Sequence, residues 1–242
     1  MSTNSVLGVI PARYGSTRFP GKPLASILGK PMIEWVWQSS SRAQLLDRVL
    51  VATDDERILE TVEKFGGEAI MTSSNCASGS DRVAEVIERV DCDYVVNIQG
   101  DEPLIEGSDL DRGIKRMLDS PEIPVGSFMA ECPSDHVQDP DVAKVVVDQH
   151  SRALYFSRSP IPFSRGDSTT VFQHIGIYIY QSDYLKTFQS RAQTPLERSE
   201  SLEQLRVLEH GNSILMTELP EPTVGVDRPQ DIEVVEEKLA EE

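Results

Sequence analysis

The sequence predicts an α/β fold built on a largely parallel sheet, and three observations carry that prediction. Apolar runs of strand length alternate with amphipathic helical stretches through the first half of the chain. The first run, Val6 to Ile10, ends in a long loop punctuated by Gly15, Gly21, Pro11, Pro20 and Pro23. Beyond residue 120 the helical period gives way to strand-like segments separated by loops, which predicts a smaller lobe of antiparallel or mixed strands added to the sheet.

In order, Val6 to Ile10 reads as a strand, and Met32 to Ser41 as a helix with Ile33, Val36 and Trp37 at apolar spacing. Arg48 to Ala52 is a strand; Asp55 to Phe65 is a helix presenting Ile58, Leu59, Val62 and Phe65 on one face and stopped by Gly66-Gly67. Glu68 to Met71 is a short strand, Asp81 to Val90 a helix and Tyr94 to Gln99 a continuous apolar strand. Such an alternation holds ligands beyond the carboxyl ends of its strands. In the second half Pro124 to Ala130, Ala143 to Val147, Ala153 to Ser157 and His174 to Tyr180 read as strands. Thr194 to Gly211 reads as one helix: Thr194 caps it, Pro195 fits its first turn, Leu202, Leu205 and Leu208 pack, and Gly211 ends it. An acidic helix closes the chain.

Composition narrows the function classes. The 242 residues carry 23 Lys+Arg against 40 Asp+Glu, a formal charge of -17, with no basic stripe beyond the opening loop, which argues against nucleic acid and anionic membranes as partners. The 15 Gly and 15 Pro are scattered, with no linker, low-complexity run or repeat, so one domain with an appended lobe is expected. The longest apolar runs are strand-sized, and Met1 to Ser5 lacks the basic and apolar parts of a signal peptide, so the expected location is the cytoplasm. Cys76, Cys92 and Cys132 have no paired spacing and an odd count, which supports neither a disulfide framework nor a zinc site.

Against that acidic background, residues 1 to 30 contain Arg13, Arg18, Lys22 and Lys30 and no Asp or Glu. A loop so positive should hold an anion. A triphosphate needs backbone N–H groups that can approach closely, which glycines permit, and cations that fork around its oxygens; Gly15, Gly21, Arg13, Arg18 and Lys22 supply these parts. The Walker spacing is absent, because Gly15 and Gly21 enclose five residues and Pro23 follows Lys22. A second polar segment, Ala77-Ser78-Gly79-Ser80-Asp81-Arg82, follows a strand and opens a helix, with Ser78 and Asp81 spaced as a helix cap. A third, Gln99-Gly100-Asp101-Glu102-Pro103, ends an apolar strand, where a carboxylate can meet a hard cation on phosphate oxygens, or simply form a turn. Asp91-Cys92-Asp93 precedes that strand and reads as a turn.

The run Ile10-Pro-Ala-Arg-Tyr-Gly-Ser-Thr-Arg-Phe-Pro-Gly-Lys-Pro-Leu24 closely resembles the opening signature of the 3-deoxy-manno-octulosonate (Kdo) cytidylyltransferases, and the resemblance extends over most of the chain. It implies a Rossmann-like, GT-A-like nucleotide-diphospho-sugar transferase with a mixed sheet flanked by helices. It also implies transfer of CMP from CTP to Kdo with release of pyrophosphate, for lipopolysaccharide synthesis. On this resemblance residues 1–120 are mainly the nucleotide half, 121–220 mainly the sugar-binding and dimerisation lobe, and 221–242 the segment with a metal Asp and the last helix, of a single domain 1–242. The nucleotide set is Pro11, Ala12, Arg13, Gly15, Arg18, Lys22, Ser78, Arg82 and Gln99; the metal pair is Asp101 and Asp227, for Mg²⁺. Gln99 with Lys144, Arg158, His174, Tyr178, Glu203 and Gln204 is the sugar set, and Arg13, Lys22, Asp101 and Asp227 are the catalytic set. His174, Gly176 and Tyr178 share one face of a strand, which suits a sugar. At Thr223-Val-Gly-Val-Asp227-Arg228-Pro229-Gln230-Asp231 the family has Val-Asp-Thr-Pro-Glu-Asp: Asp227 is kept, but Arg228 stands for Thr, so a different local cap is expected. The family's dimer is carried over as an expected homodimer. Two other readings are the same reaction on 8-amino-Kdo or another acidic sugar, and a non-catalytic nucleotide-binding regulator.

Overall fold

The computed structural model describes residues 4–15, 19–166 and 169–241. In chain order the elements are β1 (Val6–Ala12), β2 (Ser26–Ile27), β3 (Lys30–Pro31), α1 (Met32–Ser40), β4 (Arg48–Thr53), α2 (Glu56–Lys64), β5 (Glu68–Met71), α3 (Gly79–Ile87), β6 (Tyr94–Asn97) and α4 (Gly107–Leu118). They continue with β7 (Val125–Glu131), β8 (Lys144–Val147), β9 (Ala153–Ser157), β10 (Phe172–Gln181), α5 (Ser182–Gln189), α6 (Pro195–Glu200), α7 (Leu205–Glu209), β11 (Ile214–Glu218) and α8 (Asp231–Glu241). No helix among the described residues is long and apolar enough to cross a membrane. The chain divides into two units: the first comprises residues up to Arg112, Gln181–Gln189 and the chain from Thr223 onward, the second Gly113–Tyr180 and Ser190–Pro222.

In the first unit β1 pairs in parallel with β4 on one side and β6 on the other, and β5 extends the sheet beyond β4. β1, β4 and β6 read as continuous apolar runs because both their faces are covered: Val9, Ile10, Leu50, Val51, Val95 and Val96 are essentially inaccessible. The covering helices contribute Met32, Ile33 and Val36 from α1, Ile58 and Val62 from α2, and Val83, Val86 and Ile87 from α3. Asp55 caps α2 by accepting from Arg57 N, and Ser78 and Asp81 cap α3 reciprocally, at 3.1 and 2.9 Å. α3 therefore starts at Gly79, two residues before the stretch its apolar spacing predicts. The chain runs outward from β1 to β4 and β5 and then returns to β6 across β1, so the order reverses at β1 and leaves a crevice at its carboxyl end.

In the second unit β7 pairs antiparallel with β10 and parallel with β11, and a β8–β9 hairpin attaches to the start of β10. This is the mixed lobe the sequence predicts. Between Ile175 and Tyr178 the β10 register slips against β7, so that Ile175 faces Phe128 and Tyr178 faces Ser127. The single helix expected over Thr194 to Gly211 is broken. Ser201 adopts a left-handed φ of 54°, α6 stops before it, and α7 resumes at Leu205. Gly211, at φ 75°, ends α7. The sequence reading did not include α4, α5 or β11.

Candidate active site

The crevice at the carboxyl end of the first unit's sheet is lined by Pro11, Ala12 and Arg13 after β1, Lys22, Ser78 and Arg82 at the start of α3, Gln99, Gly100 and Asp101 after β6, and Asp227. Segments far apart in sequence, each singled out for its own chemistry, thus meet in one place. Gly79, at the helix start that carries Arg82, also lines it, as do Pro23, Cys76 and Ala77, to which the sequence alone assigns no ligand role. Gly15 is not among the described lining residues: it is exposed, and no described residue lies within 4 Å of where a Cβ would stand. Arg18 lies outside the described residues.

The basic loop is closed at its base by Gly21 N donating to Tyr14 O at 2.9 Å. Gly21 has a φ of 73° and sits where a Cβ would be 3.1 Å from the Tyr14 ring, so both backbone and space require glycine. Arg57 at the start of α2 stacks on the other partner of that contact, its guanidinium 3.4 Å from the Tyr14 ring centroid. Two glycines press closely on Pro11 in the crevice: a Cβ on Gly100 would lie 3.0 Å from Pro11 O, and one on Gly79 3.2 Å from Pro11 Cγ of the ring.

Two carboxylates converge on one cation. Lys22 Nζ donates to Asp101 Oδ2 at 2.6 Å and to Val226 O at 2.8 Å, and it lies 3.5 Å from Asp227 Oδ1. Asp227 is held in turn by Asp231, whose Oδ2 accepts from the N–H groups of Asp227 and Arg228 at 2.8 and 2.7 Å. With Arg228 in place of a hydroxyl residue, the cap at α8 keeps this backward half. Arg82 is 3 % exposed and points a fixed charge at the crevice, braced by Asp54 Oδ2 at 3.2 Å and by the Thr72 hydroxyl. Beside Asp101, burial above all, with the Asp101 charge, pushes the Glu102 carboxyl up to about 8. Burial likewise raises the Cys76 thiol, which bonds Glu85, so it is no ready nucleophile. Asp93 accepts from Ser5 N and Oγ, as a turn anchor does.

Within the second unit the structure gathers His174, Tyr178, Glu203 and Gln204. The His174 ring lies 5.5 Å from that of Tyr178 and 4.9 Å edge-on to Phe156. The Gln204 amide nitrogen lies 3.4 Å from Nδ1 and Ser127 Oγ 2.9 Å from Nε2; this pattern assigns the ring proton to Nε2, with Ser127 donating onward to Ile177 O at 2.8 Å. Burial pushes the His174 pKa down to about 3, and burial with the Glu203 charge raises the Tyr178 phenol well above its usual value. Lys144 is fully buried and its ammonium is committed to Asp139 O and Val142 O, at 2.7 and 2.5 Å, in the turn before β8. Arg158 spends its guanidinium on Glu200 O and Pro140 O, each at 2.8 Å. Both side chains, expected among the sugar contacts, here hold the backbone of the turns beside them.

His174 therefore stays neutral while an unfolded chain takes up a proton near pH 6.5. Its contribution to stability is present above that pH and is lost as pH falls toward the folded value. Chemical denaturation at pH 7 and pH 5 should show the wild type losing about 2 kcal/mol more than His174→Asn over that interval. Equal losses would mean that the ring protonates in the folded state.

An open parallel sheet with this crevice is the architecture of a nucleotidyltransferase. The family profile described as cytidylyltransferase matches residues 7–214. A protein of Syntrophotalea carbinolica named 3-deoxy-manno-octulosonate cytidylyltransferase is 47% identical over 97% of this chain and 98% of its own, and one of the same name from Geobacter metallireducens is 46% identical over the same shares. A solved CMP:2-keto-3-deoxy-manno-octonic acid synthetase complexed with CTP superposes with a TM-score of 0.94 at 41% identity, over 98% of this chain and 99% of that one. The chain belongs to the 3-deoxy-manno-octulosonate cytidylyltransferase family. A 4-diphosphocytidyl-2C-methyl-D-erythritol synthase from Anaerococcus prevotii, 11% identical over 99% of this chain and 100% of its own with a TM-score of 0.66, shares the fold alone.

Proposed function

We propose that this enzyme activates Kdo by joining it to CMP from CTP, giving CMP-Kdo and pyrophosphate for lipopolysaccharide synthesis. The observation that carries the reading is the convergence of Lys22, Asp101 and Asp227 on one point of a crevice that also receives Arg13 and Arg82. In this reading the anomeric hydroxyl of Kdo attacks the α-phosphorus and pyrophosphate leaves. Arg13 and Lys22 bind the triphosphate; Ser78, Arg82, Gln99 and the main chain of Pro11 and Ala12 orient the nucleotide. Their work is alignment and a fixed field of positive charge, which needs no reorganisation as the leaving group gains charge.

Magnesium is part of the proposal. Two carboxylates already face one cation, the Lys22 ammonium, a donor pair that suits an ion taking most of its oxygens from phosphates and water. When bound by Asp101 and Asp227, the ion would neutralise phosphate oxygens. His174, Tyr178, Glu203 and Gln204 recognise the acid sugar, the neutral His174 ring orienting the Gln204 amide. Lys144 and Arg158 act on this set indirectly, by bracing the turns before β8 and after β9. A homodimer formed through the second unit and a cytoplasmic location complete the reading.

The test is pyrophosphate release by the purified protein with CTP, magnesium and Kdo, beside the 8-amino analogue and a sialic acid. Release with Kdo is expected. Release only with another sugar would reassign the second unit's specificity, and tight CTP binding without turnover on any of them would favour a nucleotide-binding regulator.

A further inference from the structure

Glu102 belongs to the turn that carries Asp101, yet the chemistry above gives it no task. Its Oε2 is sealed from solvent and has no hydrogen-bond partner among the described residues. Its side chain is hydrogen-bonded to that of Thr223. Two residues on, Gly225 crosses directly against the carboxyl: a Cβ there would stand 3.3 Å from Glu102 Oε1 and 3.6 Å from Asp101 O. One residue further, Val226 N donates to Asp101 O at 2.8 Å, Val226 O accepts from Lys22 Nζ, and the Val226 side chain is wholly buried in a cluster with Ile27, Met32 and Val235.

The 223–226 segment is thus stitched to the Asp101 turn at both ends, and its next residue is Asp227. A buried carboxyl with an orphaned oxygen is costly for a fold to keep. What it secures here is contact with the 223–226 segment. We propose that Glu102 is a positioning residue: by holding Thr223 and seating Gly225 it fixes the register at which Asp227 faces Asp101 across Lys22. The inference rests on the reading of Asp101 and Asp227 as the pair that holds the divalent ion of the triphosphate.

The experiment measures Mn²⁺ binding to the CTP complex of the full-length protein by electron paramagnetic resonance, for wild type, Glu102→Gln, Glu102→Ala, Gly225→Ala and Asp227→Asn. Glu102→Gln keeps the size and an acceptor for Thr223, and should stay within about twofold of wild type. Glu102→Ala should weaken Mn²⁺ binding about tenfold, the scale of about 1.4 kcal/mol in register. Gly225→Ala, which crowds the carboxyl, should shift in the same direction, and it decides the matter if Glu102→Ala does not fold. The KM for Kdo should stay within about twofold throughout, a split that general loosening of the fold would not give. Wild-type Mn²⁺ affinity in Glu102→Ala and Gly225→Ala, with affinity lost in Asp227→Asn, overturns the role of Glu102 alone. Unchanged affinity in Asp227→Asn overturns the metal pair as well.

Discussion

Replacing Asp101 or Asp227 by Asn should lower turnover by on the order of 10²-fold or more, the scale of losing a preorganised stabilising group. The substitution keeps the size of the side chain and removes its charge. For Asp101 it also takes away the nearest anion of Lys22, now 2.6 Å from that ammonium. For Asp227, half exposed and 3.5 Å from the same nitrogen, the backbone stays fixed by Asp231, so the effect isolates the carboxylate. Pyrophosphate release at saturating CTP and Kdo across a magnesium titration makes the measurement. Near-normal turnover at saturating magnesium would remove that residue from the site.

The second large effect is on stability. Arg206 and Glu197, whose side chains are 8% and 5% exposed, form a forked pair, Nε to Oε2 at 2.8 Å and Nη2 to Oε1. Glu197 Oε2 also accepts from Thr194 N at 3.1 Å, so one carboxylate ties the start of α6 to α7. Arg206→Ala leaves that carboxylate buried without its cation, a loss of about 3–5 kcal/mol. For a chain of this size the melting temperature should fall by on the order of 10 °C. Arg206→Met with Glu197→Gln removes both charges together and should recover most of the loss. Because Glu203 and Gln204 ride in the turn between the tied helices, the single variant should also raise the KM for Kdo. A fall of only a degree or two would mean that water reaches the pair.

Much of the first unit was legible because its signals are local. An apolar run bounded by polar turns has few readings other than a buried strand, and Ser78 with Asp81 caps a helix wherever it stands. The family motif then supplied what spacing alone left open, the choice between turn former and ligand at Asp101. The second unit resisted. Leu202, Leu205 and Leu208 have helical spacing whether or not Ser201 turns left-handed, so the break between α6 and α7 leaves no mark in the apolar pattern. Lys144 enters the sugar set by resemblance alone; strand spacing does not show that its ammonium folds back onto Asp139 O and Val142 O in the turn just before it. Glu102 and Arg57 carry no local signal, since their partners, Thr223 and Tyr14, are distant in sequence.

The contact of Gly79 and Gly100 with Pro11 has a bearing on how such an enzyme can change. Where a pocket is walled by side chains, a single codon change can enlarge it, shrink it or reverse its polarity, and new preferences are one step away. Here Gly100 lies against the Pro11 carbonyl and Gly79 against the Pro11 ring, and any replacement of either glycine adds bulk to a contact already at 3.0 or 3.2 Å. Drift at these positions can abolish the crevice but cannot retune it. Diversification is channelled instead to walls built of side chains, which can be exchanged one at a time.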